Sequence, residues 1–395
     1  MLKALAYILV FAGSAQASTR MSALVARAQS ELPVAQSPVL IFDKDEIDWL
    51  FLQAGALGDT ERHQAKRTEV IRAYVREKAG VDLTDGEAGS YEPYLYAAKD
   101  SAVALPVGDL GRKKYKMCAV FPADPNSNQL LEIRRVLGLA NRDVYGDLGF
   151  DQVTAKLSYE EAMLFSLYHE MGHCLDKTYF PQTYVDYADP HAQHLSESFA
   201  EAFSLLALAR EGKTDLGARR ALIRTLYSWE MGKYHATHPQ GGFGSEFHAY
   251  GGVIYYLAPV LERAQALIEG RREGQASSIS SVAELAERIV REGALPPRLF
   301  QGIYSLMAEG ENEALARYER YAADHPDLFL EVYQGLLSYR SKIKEDASRA
   351  IDVSLRTRER SGVLADLNLR GRCGLLESSE KYYQYLDELR DELRV

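Results

Sequence analysis

His169, Glu170 and His173 are the residues of this chain best suited to chemistry, because they stand in the order His-Glu-Met-Gly-His. Residues four apart on a helix lie on the same face, one turn above each other. Two imidazoles at that spacing can bind one zinc ion, and a glutamate beside the first can act on a water molecule at the metal. The pattern therefore predicts a catalytic Zn²⁺ site, with two ordinary helical histidines as the alternative.

The residues before this motif predict that it lies on a helix. Ser158 and Glu161 have the spacing of a capping box, in which each side chain bonds to the backbone of the first helical turn. The segment from Ala162 to Tyr168 is almost entirely apolar, which is typical of a buried helix. We therefore expect a helix that starts after Ser158 and carries both histidines.

A catalytic zinc site needs a third protein ligand, and a later segment offers one. Residues 191–203 have helical apolar spacing, with Glu197 and Glu201 four residues apart on one face. This combination with HExxH resembles the gluzincin group of zinc metallopeptidases over residues 158–211. The resemblance implies that Glu197 is the third ligand and that Glu201, where the group usually has aspartate, orients a ligating histidine. His194 is the rival ligand.

The pattern along the chain predicts an α+β front half and a helical rear half. Strands are expected at residues 94–96, 103–107 and 115–121, where short β-rich runs are separated by Gly, Asp and Pro. Helices are expected at residues 60–78, 129–141, 191–211, 214–231, 247–269 and 281–292.

The resemblance sharpens this expectation to a zincin-like core with a small mixed sheet and the HExxH helix, followed by a helical C-terminal lobe. In such folds an edge strand before the motif helix pairs with an extended peptide. Residues 113–121 are the candidate for that strand, and an ordinary buried strand is the alternative.

The segment from Gly241 to Gly252 is rich in glycine and runs into a predicted helix. His248 and Tyr250 can donate hydrogen bonds to an oxyanion that develops in a transition state. We therefore regard both as candidate catalytic residues. The alternative is that they are polar residues near a helix start, beside glycines that only allow close packing.

The first residues predict a secretory signal peptide. Lys3 is followed by the apolar stretch from Ala4 to Gly13 and by an A-x-A cleavage site at residues 15–17. The apolar stretch is shorter than the roughly 20 residues that a membrane-spanning helix needs. We expect an exported protein, periplasmic or secreted, without an integral membrane segment after cleavage. The formal net charge of −10 argues against nucleic acid as a partner.

Export also allows disulfide formation among Cys118, Cys174 and Cys373. Cys174 follows His173 directly and lies about 100° from it around the helix, so it should point away from the metal. We expect a disulfide that anchors the motif helix. Cys118 is the preferred partner, because its strand should lie beneath that helix, and Cys373 is the next choice.

Together these observations predict an exported zinc-dependent metallopeptidase that hydrolyses protein or peptide substrates with Glu170 as general base. Residues 18–270 would form the peptidase domain and residues 271–395 a helical region, which could instead bind a dedicated protein partner. The alternative function is a non-catalytic exported binding protein with a structural zinc site.

Overall fold

The structure, a computed structural model, is mostly helical with one small mixed sheet, which fits the α+β class. It describes residues 22–32, 38–96, 102–109, 114–122, 159–179, 189–213, 216–237, 245–270 and 278–361. Five predicted features lie outside these ranges: the signal peptide, the helix at 129–141, the capping residue Ser158, the glycines at 241–244 and Cys373.

The described elements comprise three strands and thirteen helices. The strands are β1 (Val39–Ile41), β2 (Val103–Asp109) and β3 (Lys114–Phe121). The helices are α1 (22–31), α2 (Lys44–Gln53), α3 (Glu61–Ala79), α4 (Asp85–Tyr96), α5 (Tyr159–Leu175), α6 (Pro190–Ala209), α7 (Leu216–Thr237), α8 (Ser245–Ile254), α9 (Ala258–Gly270), α10 (Ile279–Gly293), α11 (Pro297–Ala308), α12 (Glu311–Asp324) and α13 (Pro326–Ser361).

The sheet has the order β1-β3-β2, with β1 parallel and β2 antiparallel to β3. The prediction that residues 113–121 form an edge strand is therefore wrong, because β3 is paired on both sides as the buried-strand alternative requires. At the β1 edge, the side-chain amide of Gln29 mimics a neighbouring strand. It donates to the Val39 carbonyl at 2.9 Å and accepts from the Ile41 N–H at 2.8 Å. Within the described sheet, β2 is the other edge.

The first helices show where local sequence signals hold and where they mislead. The predicted helix at 60–78 is confirmed as α3, with Thr60 as N-cap and Gly80 in the left-handed region at a φ of 68°. The predicted strand at 94–96 is wrong, because these residues end α4. A capping box between Thr84 and Glu87 starts that helix. An aromatic-rich run resembled a strand, but tertiary packing of the helix decided its structure.

An aromatic core joins the sheet to α3 and α4. Phe42 stacks on Phe121 of β3 with ring centroids 4.9 Å apart, and on Tyr74 of α3 at 5.4 Å. Tyr91 of α4 meets Phe121 edge-on at 5.1 Å. This packing holds the sheet rigidly on the side that bears α3 and α4.

The chain divides into two compact units that alternate along the sequence. Of the described residues, the first unit contains those up to 122, 159–213 and 267–292, and the second contains 216–266 and 293–361. This division differs from the predicted boundary at residue 270, because residues 216–266 group with the C-terminal helices. None of the helices in the described ranges has the length and apolar character to cross a membrane.

Candidate metal centre

The helix α5 carries the three residues of the motif, as the sequence predicted. Its residues 162–168 are buried, so the helix is fixed by its apolar face before it reaches His169. It also packs closely on α6 at Gly172, where an added Cβ would lie only 2.9 Å from the Cα of Ala200. A glycine at this position therefore allows the approach that brings Glu197 of α6 to the two histidines.

The helix α6 begins with a well-formed cap. The Asp189 side chain accepts from the N–H groups of His191 and Ala192, and Pro190 occupies the first turn. Glu197 is the eighth residue of this helix, and its carboxylate lies between the histidines. Its Oε2 is 3.4 Å from Nε2 of His169, and its Oε1 is 3.7 Å from Nε2 of His173.

These three side chains form a group that could hold a metal ion. One ligand atom from each residue lies within 4.8 Å of the others. In the described ranges, no other cluster of three or more His, Cys, Asp or Glu side chains has ligand atoms close enough to hold a metal ion. Zinc bonds of about 2.0–2.2 Å in a tetrahedral arrangement place ligand atoms roughly 3.3–3.5 Å apart. The separations of 3.4 and 3.7 Å between the Glu197 oxygens and the two Nε2 atoms are near this spacing. The rival His194 is buried but does not belong to the group.

The other ring nitrogen of each histidine faces a different polar residue. Glu201 is fully buried, and its Oε1 lies 4.0 Å from Nδ1 of His169. The predicted orienting acid is therefore placed beside a motif histidine, at a separation longer than a hydrogen bond. Nδ1 of His173 lies 3.1 Å from the Ser196 hydroxyl. Sequence reasoning missed Ser196, whose only signal is its position before Glu197.

Glu170 occupies an environment suited to a general base. The pKa of its carboxyl is raised from 4.5 to about 7, chiefly by burial and also by the charge of Glu197. The charge of His169 and a hydrogen bond from the backbone N–H of Ala104 act in the opposite direction. Because Ala104 belongs to β2, the strand at the open edge of the described sheet contacts this carboxylate directly.

The two histidines have opposite pKa shifts. Burial alone would lower the pKa of His169, but its hydrogen bond to Glu197 and the charge of that residue raise it overall. Burial lowers the pKa of His173 to about 4, so its ring is neutral near pH 7. A neutral imidazole is the form that binds a metal ion.

The expected disulfide is present between Cys174 and the preferred partner, Cys118. The bond joins the last turn of α5 to the central strand β3. The half-buried side chain of Cys174 packs against Cys118 and Ala104. The cross-link therefore fixes the end of the motif helix to the sheet, beside the residue that contacts Glu170.

The candidate oxyanion donors lie on α8, in the second unit. The half-buried ring of Tyr250 stacks on Tyr304 with centroids 4.1 Å apart. His248 lies on the same helix, and its side chain is outside the described part of the structure. Their role as hydrogen-bond donors in a transition state stays a prediction.

Comparison of the chain with models of protein families, with curated proteins and with solved structures finds no match. The chemistry of the site therefore has to follow from its own residues.

Proposed function

We propose that this chain is an exported zinc-dependent metallopeptidase with a zincin-like core. His169, His173 and Glu197 would hold Zn²⁺, and Glu170 would be the general base. The observation that carries the proposal is the convergence within 4.8 Å of two imidazole nitrogens from α5 and the Glu197 carboxylate from α6. The helix α5 also carries Glu170 between the two histidines. Nitrogen and oxygen donors in this combination suit zinc.

Bound zinc would polarise the scissile carbonyl and make a water molecule more acidic near neutral pH. The Glu170 carboxylate would take a proton from the water as its oxygen attacks the carbonyl carbon, and would then give that proton to the leaving amine as the C–N bond breaks. A carboxyl pKa raised to about 7 matches both steps, because the group can then accept and release a proton near neutral pH.

Among the described strands, β2 lies at an edge of the sheet, and this edge offers a place for an extended peptide. A peptide can add to an exposed strand edge through backbone hydrogen bonds, whereas Gln29 covers the opposite edge at β1. The N–H of Ala104 interacts with Glu170, so this part of β2 faces the proposed base. A substrate strand bound here would present its backbone carbonyls to the metal group.

The alternative of a purely structural zinc site is less well supported. Structural zinc sites have four protein ligands, whereas catalytic sites have three and leave a position for water. The described group has three members. A structural site also gives no role to a half-buried carboxylate beside the ligands, and keeping Glu170 there costs stability whenever it is ionised.

Replacement of the proposed base gives the direct test of catalysis. Glu170→Gln should keep the metal but lower the turnover of casein or peptide substrates by roughly 10²–10⁴, because an amide cannot accept the proton. Glu161→Gln is the matched control, since Glu161 lies on the same helix, is half-buried and pairs with Lys213. Equal turnover in the two variants at matched zinc content would show that Glu170 is not the base.

A further inference from the structure

A histidine that binds a metal through Nε2 has a second requirement. Its ring must be neutral with the proton on Nδ1, and that N–H must find an acceptor when it is buried. The acceptor also fixes the rotation of the ring, and therefore the direction in which Nε2 points. Each histidine of the metal centre should therefore have an Nδ1 partner that matters for binding.

Ser196 meets this requirement for His173. Its Oγ lies 3.1 Å from Nδ1, and both residues are buried, with exposures of 1 % for Ser196 and 7 % for His173. Because Ser196 directly precedes Glu197, the Nδ1 acceptor and the carboxylate ligand come from consecutive residues of one helix. A displacement of α6 would therefore disturb the histidine and the carboxylate together.

A hydroxyl also suits the charge of this pocket. Glu170, Glu197 and Glu201 already place three carboxyl groups beside the two histidines. A fourth carboxylate as the partner of His173 would add repulsion in a buried site, where charges are weakly screened. Serine supplies an acceptor without adding a charge.

We infer that Ser196 is a positioning residue of the metal centre: it accepts a hydrogen bond from the Nδ1–H of His173 and thereby directs Nε2 toward the metal. The inference rests on the proposed zinc site. It assigns the two histidines to different partners, Ser196 for His173 and Glu201 for His169.

The other two serines of α6 show that burial alone does not explain this contact. Ser204 donates to the carbonyl of Ala200, a bond within the helix. Ser198 is fully buried, and its hydroxyl has no hydrogen-bond partner among the described residues. Ser198→Ala is therefore a matched control, since it makes the same change at the same depth on the same helix.

The experiment measures the dissociation constant of Zn²⁺ by competition with a chelating dye, together with the melting temperature of each metal-free protein. Ser196→Ala should weaken zinc binding about 10–100-fold, and Ser198→Ala by no more than about threefold. The metal-free melting temperatures show how much of any loss in affinity comes from a change in stability. Ser196→Thr keeps the hydroxyl and should recover most of the affinity.

The possible outcomes separate this inference from the proposed function. Wild-type protein that binds no zinc would overturn both. Wild-type protein that binds zinc, with equal losses in Ser196→Ala and Ser198→Ala, would overturn only the role of Ser196. A cobalt-substituted protein gives an independent signal, because loss of the Nδ1 partner should change the visible spectrum in Ser196→Ala and leave it unchanged in Ser198→Ala.

Discussion

Two groups of buried polar residues, one in each unit of this protein, have different surroundings. In the second unit, the Ser228 hydroxyl lies 3.0 Å from the Tyr339 hydroxyl, so two buried groups satisfy each other. In the first unit, His169, His173 and Glu197 converge instead on one point, and Nδ1 of His169 has no hydrogen-bond partner in the described structure. Two buried groups that hydrogen-bond to each other stabilise a core. Titratable side chains that converge on one point and have shifted pKa values instead indicate a site for a ligand.

Glu201 and Ser196, which lie beside the histidines, also differ from ordinary core residues. Glu201 and Ser196 are as deeply buried as the neighbouring apolar residues of α6. Each faces an Nδ1 atom of a different histidine. Under the proposed function, these two residues would orient the histidines that hold the metal ion.

The largest expected effect concerns the disulfide that anchors the metal helix. The combined change Cys118→Ser and Cys174→Ser should lower the free energy of unfolding by about 4 kcal/mol, because the bond closes a loop with a sequence separation of 56 residues. Urea denaturation in oxidising buffer measures this loss. Cys373→Ser is the control and should unfold like the parent, while an unchanged midpoint in the double variant would contradict the structural role of the bond.

Variants of α8 test whether the second unit also contributes to catalysis. If His248 or Tyr250 donates to the developing oxyanion, His248→Ala or Tyr250→Phe should lower kcat by about 10²–10³ while zinc content and stability are kept. The loss should be in kcat, because the bond strengthens only in the transition state. Parental kcat/KM in both variants would show that neither side chain is the oxyanion donor.

The raised pKa of Glu170 should make the stability of the metal-free protein depend on pH. Its folded pKa of about 7 lies above the ordinary value of 4.5, so the folded state binds the proton more tightly than the unfolded state. Wild-type protein should therefore lose stability as the pH rises from 4.5 to 7, whereas Glu170→Gln avoids this loss. At pH 8 the variant should be more stable by on the order of 2 kcal/mol, since each pKa unit corresponds to about 1.4 kcal/mol and the carboxyl is only partly buried.

Urea denaturation with a chelator at pH 4 and pH 8 measures this difference. The two proteins should have similar stability at pH 4, where the carboxyl is protonated in both states. A variant that is equally stabilised at both pH values would show that the ionisation of Glu170 is not the cause.

The smallest expected effect comes from the satisfied pair in the second unit. Tyr339→Phe removes one hydroxyl and leaves Ser228 without this partner, which should cost about 1 kcal/mol of stability. Zinc content should not change. A large loss of zinc in this variant would break the distinction between stabilising and ligand-binding polar groups in the two units.

Local patterns predicted much of the site and less of the sheet. Helical periodicity predicted that His169 and His173 share one face of α5, and the resemblance to gluzincins singled out Glu197 on α6. The structure brings these three residues together. The strand order was not accessible in this way, because pairing joins distant segments. In the observed strand order, β3 is central and β2 lies at an edge. Ser196 was missed for the same reason, since its partner depends on how α5 packs against α6.

The most direct test of the central claim is elemental analysis of the purified mature protein. Wild-type protein should contain about one zinc per chain, and His169→Ala and Glu197→Ala should lose most of it, because two protein ligands hold zinc poorly. His191→Ala is the control, since this histidine lies on α6 outside the metal group and should leave the zinc in place. Full zinc retention in His169→Ala, or absence of zinc from the wild-type protein, would contradict the proposed metal centre.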